Sequence, residues 1–167
     1  MLGSAEKLAA AGADFFICPD NTVHAALPFI EARLPRPFLH IADAVAALAV
    51  ERRYGTLGIM GTRWLVESEV YPRKLREFGI VAVRPSEADR AETHRIIMDE
   101  LVAGVFRPDS TARLQETVAH LGDAGCDAVV LGCTELPIVL SGTHAPIPLL
   151  DSTRLLARAA LVRATAE

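Results

Sequence analysis

Apolar positions along this chain fall into short unbroken runs, separated by longer stretches with helical spacing. The runs are 14–18, 37–40, 56–60, 79–83, 127–131 and 147–150. Turn-forming residues bound them, so they read as strands. Their near-continuous apolar content is expected when both faces of a sheet are covered. The intervening patterns predict helices over 4–11, 21–33, 42–53, 63–78, 87–104, 110–124 and 151–164. Regular alternation of strand and helix predicts an α/β fold with parallel sheets and helices on both faces.

Local chemistry sets several boundaries. Gly55 and Gly79 stand at helix-ending positions ahead of strands. Pro35 and Pro37 stop the helix before 37–40. Asp109-Ser110-Thr111 and Asp151-Ser152-Thr153 are suited to cap the two helices that follow them.

Two stretches repeat each other. Ala11-Gly12-Ala13-Asp14-Phe15-Phe16-Ile17-Cys18-Pro19-Asp20-Asn21-Thr22 aligns without a gap on Ala124-Gly125-Cys126-Asp127-Ala128-Val129-Val130-Leu131-Gly132-Cys133-Thr134-Glu135. Each reads as a helix end, an Ala-Gly turn, an acid, a strand and a turn of small polar residues. Asp14 falls on Asp127, and Asp20 on Cys133. Two such units face to face would set an acid/base group on either side of a small ligand. The repeat predicts two similar parallel-sheet units. The first would take 1–50 plus 145–167, and the second 51–144. The chain opens on a helix that leads straight into strand 14–18, whose sheet can draw only on 37–40 and 147–150. The first domain is therefore expected to be incomplete or covered by another subunit.

Composition narrows the function. The chain has 167 residues, 51% of them hydrophobic, enough to bury a core. A net charge of −4 and the lack of a basic stripe argue against nucleic acid as a partner. No apolar run reaches the ~18 residues of a membrane span. Three cysteines, Cys18, Cys126 and Cys133, form no CxxC pair, which fits a reducing cytoplasm better than a disulfide framework. The five histidines show no metal-ligand spacing and read as capping, surface or core residues. His24 stands out slightly, one turn after Asn21.

Ligands of parallel α/β sheets sit beyond the carboxyl ends of the strands. Cys133 stands there, where helix N-terminal amides would stabilise a thiolate. Thr134, with its hydroxyl and the amides around it, suits a carboxylate, and Glu135 completes the turn. On the other repeat, Asn21 and Thr22 could donate to a carboxylate. Asp20 could be a base or a helix cap. Thr62 offers a third wall, and Arg63 and Arg107 are candidates to meet a second carboxylate. Cys18 and Cys126 read as strand-end and core residues.

These segments resemble the aspartate/glutamate racemase family. Gly132-Cys133-Thr134-Glu135 matches one of its two signature loops completely. The other, Cys-Asn-Thr, corresponds to Asp20-Asn21-Thr22, with aspartate in place of the cysteine. Gly58-Ile59-Met60-Gly61-Thr62-Arg63, Ile96-Ile97-Met98-Asp99-Glu100-Leu101 and Asp151-Ser152-Thr153 are also similar to family segments. The resemblance implies two pseudo-symmetric, Rossmann-like domains with the active site in the cleft between them, and a cofactor-independent, two-base racemase of aspartate or glutamate. Cys133 and Asp20 would be catalytic, and Asn21, Thr22, Thr62, Thr134 and Glu135 would bind substrate. The residues themselves lead us to expect no metal and a cytoplasmic location, and an incomplete first domain favours a homodimer. Family members begin with an additional strand and glycine-rich turn that this chain lacks. A related decarboxylase or cis–trans isomerase of a dicarboxylate, or an inactive binding homologue, remains open.

Ordinary pKa values of about 8.5 for Cys and about 3.9 for Asp separate the two bases by roughly 6 kcal/mol. This predicts asymmetric exchange of the substrate α-proton, faster on the face turned to Cys133.

Overall fold

The computed structural model describes residues 1–142 and 144–166. Position 143, inside the range expected for the second domain, lies outside them. The chain folds as an α/β protein around one parallel sheet. Helix α1 (Leu2–Ala10) leads into the first repeat. A 3-10 turn (Thr22–Ala26), α2 (Leu27–Ile30) and a second 3-10 turn (Glu31–Arg33) follow, then α3 (Ile41–Arg52). From there β1 (Thr56–Met60), α4 (Arg63–Val66), α5 (Val70–Glu77), β2 (Val81–Val83) and α6 (Glu87–Asp99) succeed one another. Next come a 3-10 turn (Leu101–Ala103), α7 (Pro108–Asp123), β3 (Ala128–Leu131), α8 (Leu136–Leu140), β4 (Leu149–Asp151) and α9 (Ser152–Thr165).

The sheet order is β2-β1-β3-β4, all parallel. Side chains alternate across it. Leu57, Ile59, Ala128 and Val130 face α3 and α5, in a core with Val45, Ala49 and Leu75. Met60, Val129 and Leu131 face α6 and α7, in a core with Ile96, Leu114 and Val118. Burying each such Leu, Ile or Val contributes about 1.5–3 kcal/mol. Gly58 lets α7 approach, since a Cβ there would lie 2.8 Å from Leu121 Cδ1.

The first repeat pairs differently from the expectation. Strand runs 14–18 and 37–40 shrink to a single parallel bridge, Phe16 with Phe38. The run at 147–150 does not join them. It forms β4 and pairs with β3, Leu150 opposite Val130. Leu150 is buried there in the core shared with Leu57 and Val130, a burial the short 16/38 bridge cannot supply. Helix α9 then returns to pack on α3.

Two expected helices break at side-chain hydrogen bonds, the first of them to the backbone itself. Between α4 and α5, Ser68 Oγ donates to Leu65 C=O (2.7 Å) and accepts from Val70 N–H (3.2 Å). After α6, the buried Glu100 carboxylate accepts from Arg95 (2.8 Å) and from Ser110. Ser110 is thus inside α7 rather than its cap; Pro108 starts that helix, where its missing N–H costs nothing. Asp151 does cap α9, accepting from Arg154 N–H at 2.9 Å. The turn before Gly55 is made by Arg53, at φ 59°, while Gly79 takes the left-handed conformation at φ 71°.

Candidate active site

The carboxyl ends of β1 and β3 lie side by side. Gly132 N–H donates to Met60 C=O at 2.7 Å. This close approach requires glycine. A Cβ on Gly132 would stand 2.9 Å from Met60 O and 2.3 Å from Leu65 Cδ2. Thr62 and Cys133 are therefore delivered to the same edge of the sheet.

Loop 19–22 comes to that edge from the first repeat. It is anchored by His24, which is 1% exposed. His24 Nδ1 lies 2.9 Å from Asp20 C=O, and Nε2 lies 3.2 Å from Ile41 N–H. A carbonyl only accepts and an amide only donates, so the ring is neutral with its proton on Nδ1. Burial holds His24 below its ordinary pKa, consistent with this form. His40 packs against it, ring centroids 4.6 Å apart, and caps α3 by accepting from Ala42 N–H at 3.1 Å. Burial first, then the neighbouring His24 ring and the charges of Lys74 and Arg73, press His40 down to about 3.

A cleft of about 280 Å³ forms where these loops meet. Asp20, Asn21 and Thr22 line one part of it, and Cys133, Thr134 and Glu135 another, with Thr62 between β1 and α4. The residues expected to be catalytic (Asp20, Cys133) and those expected to bind substrate (Asn21, Thr22, Thr62, Thr134, Glu135) thus border one cavity. Ile97, Met98 and Val102 add an apolar wall. Arg63 and Arg107 do not border it. Arg63 is exposed and its N–H donates to His94 Nδ1 at 3.3 Å. Arg107 lies 4.0 Å from the Glu100 carboxylate. Among the described residues no lysine or arginine lines the cleft.

The chemistry of the two loops differs. Asp20 is exposed, and its Oδ1 accepts from Val23 N–H at 3.0 Å. Cys133 is half-buried, and its thiol donates to Glu135 Oε2 at 2.8 Å. Burial and then the Glu135 carboxylate push the thiol up to about 12. The N–H groups of Glu135 and Leu136 favour the thiolate but are outweighed. This corrects the expected activation by a helix N-terminus: α8 has a single turn and Cys133 rests as a thiol. Glu135 itself is held below the usual carboxylate range. Burial opposes this, but hydrogen bonds from Cys133, Thr134 and its own N–H prevail. Thr62 Oγ1 is buried and has no hydrogen-bond partner among the described residues.

Asn21 is 3% exposed, and its side chain is held from within. Tyr71 OH donates to Oδ1, and Nδ2 donates to Ser152 Oγ at 3.0 Å. One Nδ2–H remains for a ligand. Tyr71 carried no sequence signal, being one more apolar position of α5. Ser152 was visible only as a capping residue.

Among the described residues, no helix is long and apolar enough to cross a membrane. None of their His, Cys, Asp and Glu side chains cluster to hold a metal ion.

Sequence and structure comparisons place the chain among known proteins. The broad specificity amino-acid racemase RacX of Bacillus subtilis is 26% identical over 161 residues, covering 95% of this chain and 68% of that protein. A glutamate racemase of Ectopseudomonas mendocina is 28% identical over 163 residues, covering 94% of this chain and 58% of its own length. Among solved structures, an aspartate racemase homologue from Pyrococcus horikoshii superposes with a TM-score of 0.87 at 26% identity, covering 99% of this chain and 73% of that one. The chain thus spans some three-fifths to three-quarters of these relatives. The family model for Asp/Glu/Hydantoin racemases matches residues 1–160, and the chain belongs to that family.

Proposed function

We propose that this chain carries out cofactor-independent racemisation of an acidic amino acid, aspartate or glutamate, by proton transfer at the α-carbon between Asp20 and Cys133. The observation that carries this reading is the meeting of the Asp20 loop and the Cys133 turn at one cleft. In one direction the Asp20 carboxylate removes the α-proton and the Cys133 thiol donates its proton to the opposite face. The thiolate so formed takes a proton from solvent and Asp20 releases the α-proton to solvent, which restores the thiol and its hydrogen bond to Glu135, 2.8 Å away. In the other direction the Cys133 thiol first gives its proton to solvent, and Asp20 takes one up. The thiolate then removes the α-proton while protonated Asp20 donates. Donors from Thr22, Thr62, the Thr134 backbone N–H and the remaining Asn21 N–H stabilise the substrate carboxylate as it takes on enolate character.

Chiral chromatography after incubation with each enantiomer of aspartate and glutamate tests this. The expected result is conversion of one pair to a 1:1 mixture, with equal kcat/KM in both directions, since the overall equilibrium constant is one. No conversion of any of the four by folded protein would overturn the proposal.

A second reading follows from the single thiol at the cleft, which rests protonated opposite a carboxylate. Cys133 would then protonate the carbanion left when a malonate-type dicarboxylate loses carbon dioxide. Release of carbon dioxide without racemisation separates the two.

A further inference from the structure

A directional chain of hydrogen bonds joins the two catalytic loops behind the cleft. Leu131 C=O can only accept, so the Ser152 hydroxyl donates to it, at 2.8 Å. That hydroxyl has one hydrogen, so toward Asn21 it must accept, and Nδ2 is the donor. The amide orientation is thereby fixed: Oδ1 faces Tyr71, whose hydroxyl donates. Burial holds the Tyr71 phenol in its protonated, donating form. Leu131 is 2% exposed, Asn21 3%, Tyr71 1% and Ser152 0%. Each comes from a different place in the fold: the end of β3, loop 19–22, α5 and the start of α9. Asn21 adjoins Asp20, and Leu131 precedes Cys133 by two residues.

We infer that Ser152 and Tyr71 are positioning residues, which set the Asp20 loop against the Cys133 turn through the Asn21 amide. This rests on the two-base reading above. The Ser152 hydroxyl bonds both Asn21 and Leu131, whereas Tyr71 bonds Asn21 and reaches the second loop only by way of Ser152. The two substitutions should therefore differ in reach as well as in size.

Backbone hydrogen exchange followed by mass spectrometry reads this without substrate. In Ser152→Ala, peptides covering 19–24 and 131–136 should both exchange about 10-fold faster than in the wild type. In Tyr71→Phe, which removes one oxygen and keeps the fold even if Ser152→Ala does not, only 19–24 should accelerate. In steady-state assays both variants should lose kcat by about 10- to 100-fold, with KM nearly unchanged. Unchanged exchange in both peptides of Ser152→Ala, or accelerated exchange with wild-type kcat, would overturn the inference. Failure of the wild type to racemise would instead count against the proposed function, because the exchange result stands apart from turnover.

Discussion

The two repeats begin identically and end apart. In the first, N–H groups of Ala11, Gly12 and Ala13 donate to Lys7, Ala9 and Leu8. In the second, those of Ala124, Gly125 and Cys126 donate to His120, Gly122 and Leu121, the same offsets. Both glycines are left-handed, at φ 94° and 86°. Beyond the turns the environments diverge. Asp127 Oδ2 accepts from Gly55 and Thr56 N–H, at 2.7 and 2.9 Å, and starts a strand paired on both sides. Asp14 starts a segment with one bridge. Cys133 is thus mounted on a buried strand, while Asp20 is held by a side-chain network of histidine, tyrosine and serine. One local sequence motif yields a rigid or a tethered loop according to what the sheet offers it.

The comparison can be broken most sharply at the acid/base groups. Cys133→Ala should lower racemisation by about 10³-fold or more, measured by chiral chromatography. Asp20→Ala should also abolish inversion, although its side chain is exposed. If Asp20→Ala racemises at the wild-type rate, the first loop carries no base.

Next in size is packing at the two aligned turn residues. Gly132→Ala should cost about 1–3 kcal/mol in denaturant melts, because its Cβ would meet Met60 O and Leu65. Pro19→Ala, its counterpart on the exposed loop, should stay within about 0.5 kcal/mol. Glu135→Gln should make Cys133 alkylate faster with iodoacetamide at pH 8. After burial, the carboxylate is what raises the thiol, so its loss brings the pKa down from about 12.

Acid should affect the first loop before the second. His24 and His40 are held neutral in the fold, His40 at about 3, while the ordinary value is about 6.5. Below pH 6.5 the unfolded chain takes up protons that the native state refuses, so unfolding free energy rises with pH. Their stabilising contribution is present above about 6.5 and is lost as pH falls toward about 3. Tm should drop between pH 7 and 5, and His40→Asn, which keeps a capping acceptor, should flatten the slope. Asp20 and Asp43 face His24, and Lys74 and Arg73 face His40, so both sets of charges enter this response. The smallest effect separates the aligned acids. Asp127→Asn should cost about 1 kcal/mol, and Asp14→Asn less than half of that.

Much of this was legible in the sequence because the signals are local. The Ala-Gly turns, the alternating cores of β1 and β3 and the Asp151 cap each depend on residues a few positions apart. Cys133, Thr134 and Glu135 were visible because they follow a buried strand. The partner of β4 was not, since three residues carry no register information until Leu150 finds its core. The helix expected over 21–33 broke into short turns around Pro28, which lacks the N–H that a continuous helix needs. The protonation of Cys133 depends on the Glu135 side chain folding back, and the tie from Tyr71 and Ser152 to Asn21 spans 50 and 131 positions. Neither is written in local spacing.

The most direct test is α-proton exchange in D2O, followed by NMR one enantiomer at a time. The wild type should exchange both enantiomers of its substrate. Cys133→Ala should exchange only the enantiomer facing Asp20, and Asp20→Ala only the other, each without inversion. Loss of exchange from both enantiomers in Cys133→Ala, with exchange of both intact in Asp20→Ala, would contradict the two-base account and leave Cys133 as the sole base.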